Sequence, residues 1–258
     1  MKCIKPSLYY VAFFLPLCLN CVTLSAFAAH EMQLQAEHTK KTWLLSQGFK
    51  PPQRGNPPVS AGGSTRSSSC ISRNKQITPL VPPNKLGLTF AKYPTFFWHI
   101  PTSVTKTAKL TILTDKNQTV FYETSFTLPG KPGIISFTLP NSAPALAVGK
   151  TYRWKLTVVC DAEDDSGNPS VDAWVERTQP ELRLSQALAK ADSRKLPTIY
   201  AEAGIWHEAL TTLVKLRRAE PNNSKIKMDW QKFLQSVGLD AIVKEPFINC
   251  CTNDNSSQ

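Results

Sequence analysis

The side chains best equipped for chemistry are a histidine and a glutamate at adjacent positions, His207 and Glu208, directly after Trp206. An imidazole and a carboxylate can pass a proton to and from a substrate in acid–base catalysis. Residues i and i+1 of a helix point in different directions, however, so the pair makes no site by itself and is expected on a surface helix. His99 lies in an aromatic, strand-like segment with no evident carboxylate partner. Asp161, Glu163, Asp165, Gly167 and Asp172 approach the spacing of an oxygen-ligand calcium loop. The turn glycine comes one place late, and the last position is Asp where a bidentate Glu is needed, so a solvated acidic turn is expected. No G-x-S-x-G, Walker A or zinc-protease pattern occurs, and no serine sits in a motif that positions a base. The reading names no catalytic residue, no cofactor and no metal.

Seven cysteines are present. Cys3, Cys18 and Cys21 fall within the first 28 residues, leaving Cys70, Cys160, Cys250 and Cys251. Four cysteines in an oxidising compartment allow three connectivities. Cys70–Cys160 is the expected pair, tying an N-terminal arm to the end of a strand. Closing so long a loop is worth on the order of 4–5 kcal/mol in the chain-entropy account. Adjacent Cys250 and Cys251 can pair only through a strained ring, and the alternatives are a cross-link to a partner or free thiols. The absence of C-x-x-C and of any histidine near a cysteine argues against zinc.

The compartment is written at the N-terminus. Lys2 and Lys5 precede an apolar run, Leu8–Leu19, then Val22–Phe27 and the small-bulky-small sequence Ala26-Phe27-Ala28. This is the order of a secretory signal peptide, with cleavage expected after Ala28. Pro16 and Asn20 interrupt the run and disfavour a retained anchor, and no later segment is apolar enough to span a bilayer. The expectation is a periplasmic or extracellular protein. The whole chain carries +11, and removing Lys2 and Lys5 leaves 28 basic and 19 acidic residues, or +9. That balance suits acidic proteins, lipid surfaces or envelope polymers. The charges are scattered, and the short run Lys215-Leu-Arg-Arg218 provides no nucleic-acid reader, so nucleic acid is not an expected partner.

The elements that must position these residues follow from periodicity. Residues 29–79 read as a flexible arm, with weak helical character from His30 to Lys50, then Pro51-Pro52, Gly55, Pro57-Pro58 and Gly62-Gly63 among serines. Residues 80–179 have period two. Thr95–Ile100 is aromatic, Ala108, Leu110 and Ile112 alternate with Lys109 and Thr111, and Tyr152, Trp154, Leu156 and Val158 share a face. With Pro, Gly and Asn turns between them, these strands predict an antiparallel β-sandwich. The order from Pro94-Thr-Phe-Phe-Trp98 to Gly149-Lys-Thr-Tyr-Arg-Trp154 resembles fibronectin type III or immunoglobulin-like domains, with Trp98 and Trp154 in the core. Residues 180–245 switch to helical spacing. Leu182, Leu184 and Leu188 predict a connecting helix, and the spacing of Tyr200, Gly204, Trp206, Glu208, Ala209, Leu213, Leu216 and Pro221 resembles a tetratricopeptide unit. A lone unit cannot bury its faces, so Ser224–Val237 is expected to cap it. Tyr200, Trp206, His207, Arg217 and Trp230 are the candidate partner-binding residues. Residues 246–258 read as a polar tail.

Several stretches together resemble the cyanobacterial family called domain of unknown function 928. They are Gly63-Ser-Thr-Arg-Ser-Ser-Ser-Cys70, Leu80-Val-Pro through Gly87-Leu-Thr, Pro94-Thr-Phe-Phe-Trp-His-Ile-Pro101, Gly149-Lys-Thr-Tyr-Arg-Trp154 with Cys160-Asp161, Tyr200-Ala-Glu-Ala-Gly-Ile-Trp-His-Glu-Ala-Leu210, and Asp229-Trp230 with Gly238-Leu239. The resemblance implies an envelope or secreted protein without an assigned activity, and it favours Cys70 pairing with Cys160. Ser67–Ser69 stand where the family pattern is glycine-rich. It carries over no catalytic residue.

The reading is therefore an all-β sandwich followed by a small α-helical, tetratricopeptide-like segment. Its expected role is that of an exported, non-catalytic binding or scaffold protein of the cell envelope, with an envelope protein as partner. The alternatives are a binder of anionic polysaccharide or cell-wall polymer, and a hydrolase without a recognisable motif.

Overall fold

A computed structural model of the chain describes residues 48–52, 70–72, 75–114 and 119–251. The expected export signal, most of the arm, the turn at 115–118 and the end of the tail lie outside the described residues. Eight strands come first: β1 (Thr78–Pro79), β2 (Leu86–Thr89), β3 (Thr95–Ile100), β4 (Thr107–Thr114), β5 (Val120–Thr127), β6 (Gly133–Thr138), β7 (Thr151–Val158) and β8 (Ser170–Arg177). Four described helices follow: α1 (Leu182–Lys190), α2 (Leu196–Glu202), α3 (Trp206–Ala219) and α4 (Ser224–Gln235). No described helix is long and apolar enough to cross a membrane.

The strands form two sheets, β1-β3-β6 and β2-β8-β7-β4-β5. Alternation explains how they meet. In β4 and β7 the register sets Ala108 opposite Val158, Leu110 opposite Leu156 and Ile112 opposite Trp154, which stacks each strand's apolar residues on one face. From the smaller sheet, Phe96, Trp98, Ile100, Ile135 and Phe137 enter the same buried cluster. At its centre Trp98 and Trp154 meet edge to face with ring centroids 5.6 Å apart. Each such buried side chain contributes about 2–3 kcal/mol of transfer free energy.

One pairing departs from the all-antiparallel expectation. The edge strand β2 runs parallel to β8, from Leu86 beside Trp174 to Thr89 beside Arg177. These strands lie far apart in the chain, and only a long crossover permits a parallel pair.

Helix signals act where they stand. Pro197 occupies the first turn of α2, where a missing N–H costs nothing. The Asn223 side chain accepts from Lys225 N and Ile226 N and so starts α4. Gly204 turns the chain from α2 into α3 at φ +73, and a Cβ there would lie 3.1 Å from Lys50 O. That close approach changes the picture of the arm. Phe49 is buried, meeting Trp206 edge to face at 4.8 Å and Phe233 at 6.2 Å. Its amide donates to Ser236 Oγ at 2.8 Å, and Lys50 N donates to Ala201 O at 3.2 Å. The segment 48–52 is therefore part of the folded body, because an aromatic ring offered a helical face with no other cover is worth more buried than mobile. Truncating Phe49 to Ala is expected to cost about 3–5 kcal/mol. Urea denaturation should show a lower midpoint at unchanged slope, and an unchanged midpoint would contradict the docking.

Candidate functional site

The two chemically distinctive residues, His207 and Glu208, lie in the first turn of α3, and that turn is inserted at the open seam between the two sheets. Glu208 Oε1 accepts three hydrogen bonds from the end of β2: from Thr89 Oγ1 at 2.8 Å, Phe90 N at 3.0 Å and Ala91 N at 2.9 Å. His207 Nδ1 lies 3.0 Å from Thr95 O on β3, so Nδ1 carries the proton and donates. Trp206 Nε1 donates to Leu80 O at 2.9 Å. Three consecutive side chains thus reach three segments of the β-region. They point in different directions, as neighbours on a helix must, but all of those directions lead into protein.

The surface-helix expectation is overturned, since His207 is only 4% exposed. Gly87 makes room for its ring, because a Cβ at that position would lie 2.6 Å from Nε2. The ring also meets Phe96 edge to face at 5.3 Å. Burial disfavours the imidazolium and pushes its pKa down to about 4, with the Thr95 carbonyl pulling the other way. Burial likewise raises the Glu208 carboxyl, opposed by its hydrogen bonds to Thr89, Ala91 and Phe90. Tyr200 is half-buried beside Phe90, and burial together with the Glu208 charge holds its phenol above the usual value. The hydrogen bonds of Glu208 and His207 clamp the first turn of α3 to β2 and β3.

The other candidate residues disperse. Trp230 is buried, donates to Val243 O at 3.0 Å and packs on Phe247. Arg217 is half-buried, and burial holds its guanidinium below its usual range. Trp206, His207 and Trp230 are spent on internal contacts, and only Tyr200 and Arg217 of the five keep appreciable surface. His99 does have a carboxylate neighbour, since Glu245 Oε2 comes within 3.2 Å of its Nε2 without hydrogen-bond alignment. In the acidic turn, Asp161 Oδ1 accepts from Glu163 N and Asp164 N, while Asp164 caps a short 3-10 turn through Ser166 N. Asp172 sits apart on β8, buried and paired with Arg153 Nε at 3.0 Å. The carboxylates are engaged in capping and pairing, and among the described residues no His, Cys, Asp and Glu cluster is placed to hold a metal ion.

Both cysteine pairs are closed, as Cys70–Cys160 and Cys250–Cys251. Their weights differ greatly. The first spans a separation of 90 residues and restricts the unfolded chain by about 4–5 kcal/mol. The second joins neighbours, for which the same relation gives only about 1 kcal/mol.

The adjacent pair lines an open cleft of about 700 Å³. Its walls are the outer side of β6 (Ser136, Thr138), the following turn (Leu139, Pro140, Asn141), Arg218 at the end of α3, and Asn249 to Cys251 of the C-terminal strap. The strap, residues 246–251, is held on the edge of β6 by Ile134 N donating to Pro246 O and Ile248 N donating to Ile134 O. Its Phe247 ring lies 5.6 Å from the exposed Arg218 guanidinium. A positive charge, amide and hydroxyl groups and a small apolar floor suit an acidic, hydrogen-bonding ligand. Sequence reasoning missed Arg218, Asn141 and Asn249 because three distant segments bring them together, and no local spacing signals it.

The pH response of the clamp has a definite sign. His207 binds a proton near 6.5 when unfolded but only near 4 when folded. The stability that its neutral ring allows is present above pH 6.5 and is lost as pH falls toward 4, a change of about 3 kcal/mol at 1.36 kcal/mol per unit. Glu208 works the other way, losing stability as pH rises through its raised folded value. Comparison of wild type with His207→Gln cancels the Glu208 contribution. The stability advantage of wild type over His207→Gln, from urea curves at pH 7 and pH 4, is expected to shrink by that amount. A gap independent of pH would contradict a buried neutral imidazole.

The family model described as Domain of Unknown Function (DUF928) matches residues 61–247, well over half of the chain. No curated protein matches it. The match runs from the segment before Cys70, through both sheets and the α3 clamp, to the strap that carries Phe247, and the chain belongs to the DUF928 family.

Proposed function

We propose that this chain is exported and acts as a non-catalytic binding or scaffold protein of the cell envelope, with the cleft beside the C-terminal strap as its ligand site. One contrast carries the reading. The acid–base pair His207–Glu208 is consumed inside the fold, whereas the open cleft displays Arg218 with Asn141, Asn249, Ser136 and Thr138. Such a surface recognises acidic groups without having to transform them. The basic balance of +9 after signal removal supports the same polarity of partner.

The platform is read as an immunoglobulin- or fibronectin type III-like sandwich, supported by the strand order and by Trp98 packed on Trp154. The α2–α3 hairpin turning at Gly204 supports a tetratricopeptide-like reading of the helical segment. Its Trp206 face is covered by the sheets and Phe49, so the hairpin's contribution is to build the cleft wall that bears Arg218.

The acidic groups belong either to an envelope protein or to an anionic glycan. Retention of the mature protein on a carboxylated or sulfated polysaccharide column tests the second, and in-cell cross-linking with mass spectrometry tests the first. Arg218→Ala is expected to elute at lower salt, or to lose the wild-type cross-links, without a change in folding. Wild-type behaviour of Arg218→Ala in both assays would remove the cleft as the site.

A further inference from the structure

We propose that Cys250–Cys251 is a thiol–disulfide exchange site whose redox partner is a dithiol protein of the same compartment, and that Cys70–Cys160 is the permanent bridge. The inference goes beyond ligand binding and stands without it.

Four observations support the exchange there. The two bridges differ in what they constrain, since one spans a separation of 90 residues and the other joins direct neighbours. Opening the adjacent pair therefore releases almost no chain entropy. The two bridges also differ in access. Cys160 is half-buried, as Cys250 and Cys251 are, but its partner Cys70 lies 5% exposed in the core cluster, whereas both sulfurs of the adjacent pair belong to residues that form part of the wall of an open cleft. Attack on a disulfide requires an approach path to sulfur, and the cleft provides one. The surroundings favour the products as well. Arg218 lines the same cleft, and a guanidinium stabilises the thiolate that leaves. Cys251 holds φ +68, a left-handed conformation that a side-chain-bearing residue rarely adopts, and opening the ring frees it to leave that region.

A thiolate of the partner attacks one of the two sulfurs, the Cys250–Cys251 bond breaks, and the other cysteine departs as a thiolate that takes a proton from water. The partner's second thiolate then attacks its own sulfur in the mixed disulfide and releases the remaining cysteine. The partner is oxidised to a disulfide by two electrons, and Cys250 and Cys251 are reduced to thiols.

Two readouts on the full mature chain test the proposal. In a series of reduced-to-oxidised dithiothreitol ratios, quenched by alkylation and read by mass spectrometry, Cys250 and Cys251 should become labelled at a ratio at least tenfold lower than Cys70 and Cys160, with the far-ultraviolet dichroism unchanged. Simultaneous opening of both bridges, earlier opening of Cys70–Cys160, or labelling only on unfolding would overturn the assignment. In the second readout, a thioredoxin-like protein with its Cys-x-x-Cys changed to Cys-x-x-Ser should be trapped on Cys250 or Cys251. Failure to trap it, with dithiothreitol still opening the pair, would overturn the protein partner.

Discussion

The carboxylate of Glu208 accepts two backbone amides and a hydroxyl where β2 ends, and the rest of the fold is arranged around that clamp. A two-sheet core has open seams where strands stop pairing. Amides that turn away from the ladder there cost about 1–3 kcal/mol each if buried without an acceptor. Here Phe90 N and Ala91 N are such amides, and a side chain more than a hundred residues downstream accepts from both, with Thr89 Oγ1 accepting from Ala91 N as well. The same helical turn plugs the seam with His207 against Phe96 and Trp206 against Leu80. Burial there works against the charged form of both groups, lowering the His207 pKa and raising that of Glu208. The helices are for that reason a structural part of the β-region, and β2, a short edge strand, is covered instead of exposed.

From the clamp the remaining geometry follows. With its first turn fixed at β2 and β3, α3 carries Arg218 to the far side of the smaller sheet. Arg218 on the same helix and Trp230 on α4 give Phe247 a surface to pack on, and the strap pairs with the free edge of β6. The cleft is what remains between strap, β6 and helix. The place of Arg218 in that cleft thus depends on a clamp at the other end of α3.

Much of this was legible along the chain. The alternation in β4 and β7, the tryptophans of the core and Gly204 at the helical turn were readable from local periodicity and residue type, and Cys70–Cys160 was the preferred one of three connectivities, favoured by the family resemblance. What failed was long-range. Leu86-Gly87-Leu88-Thr89 is too short to reveal a parallel partner. The partners of Glu208 and His207 lie 119 and 112 residues upstream, so a pair read on its own helix looked solvated. Phe49, in a segment rich in breakers, meets Ser236 across a separation of 187 residues, and no composition rule anticipates that a single ring will dock. Arg218, Asn141 and Asn249 become neighbours only once the strap is in place.

Hydrogen exchange at the amides of Phe90 and Ala91 tests the clamp most directly. If Glu208 seals the seam as an integral part of the fold, these two amides exchange with the same opening free energy as the central amides of β7, such as that of Leu156. Exchange through a local opening several kcal/mol cheaper than global unfolding would show that α3 merely rests against the sheets, and would contradict the account.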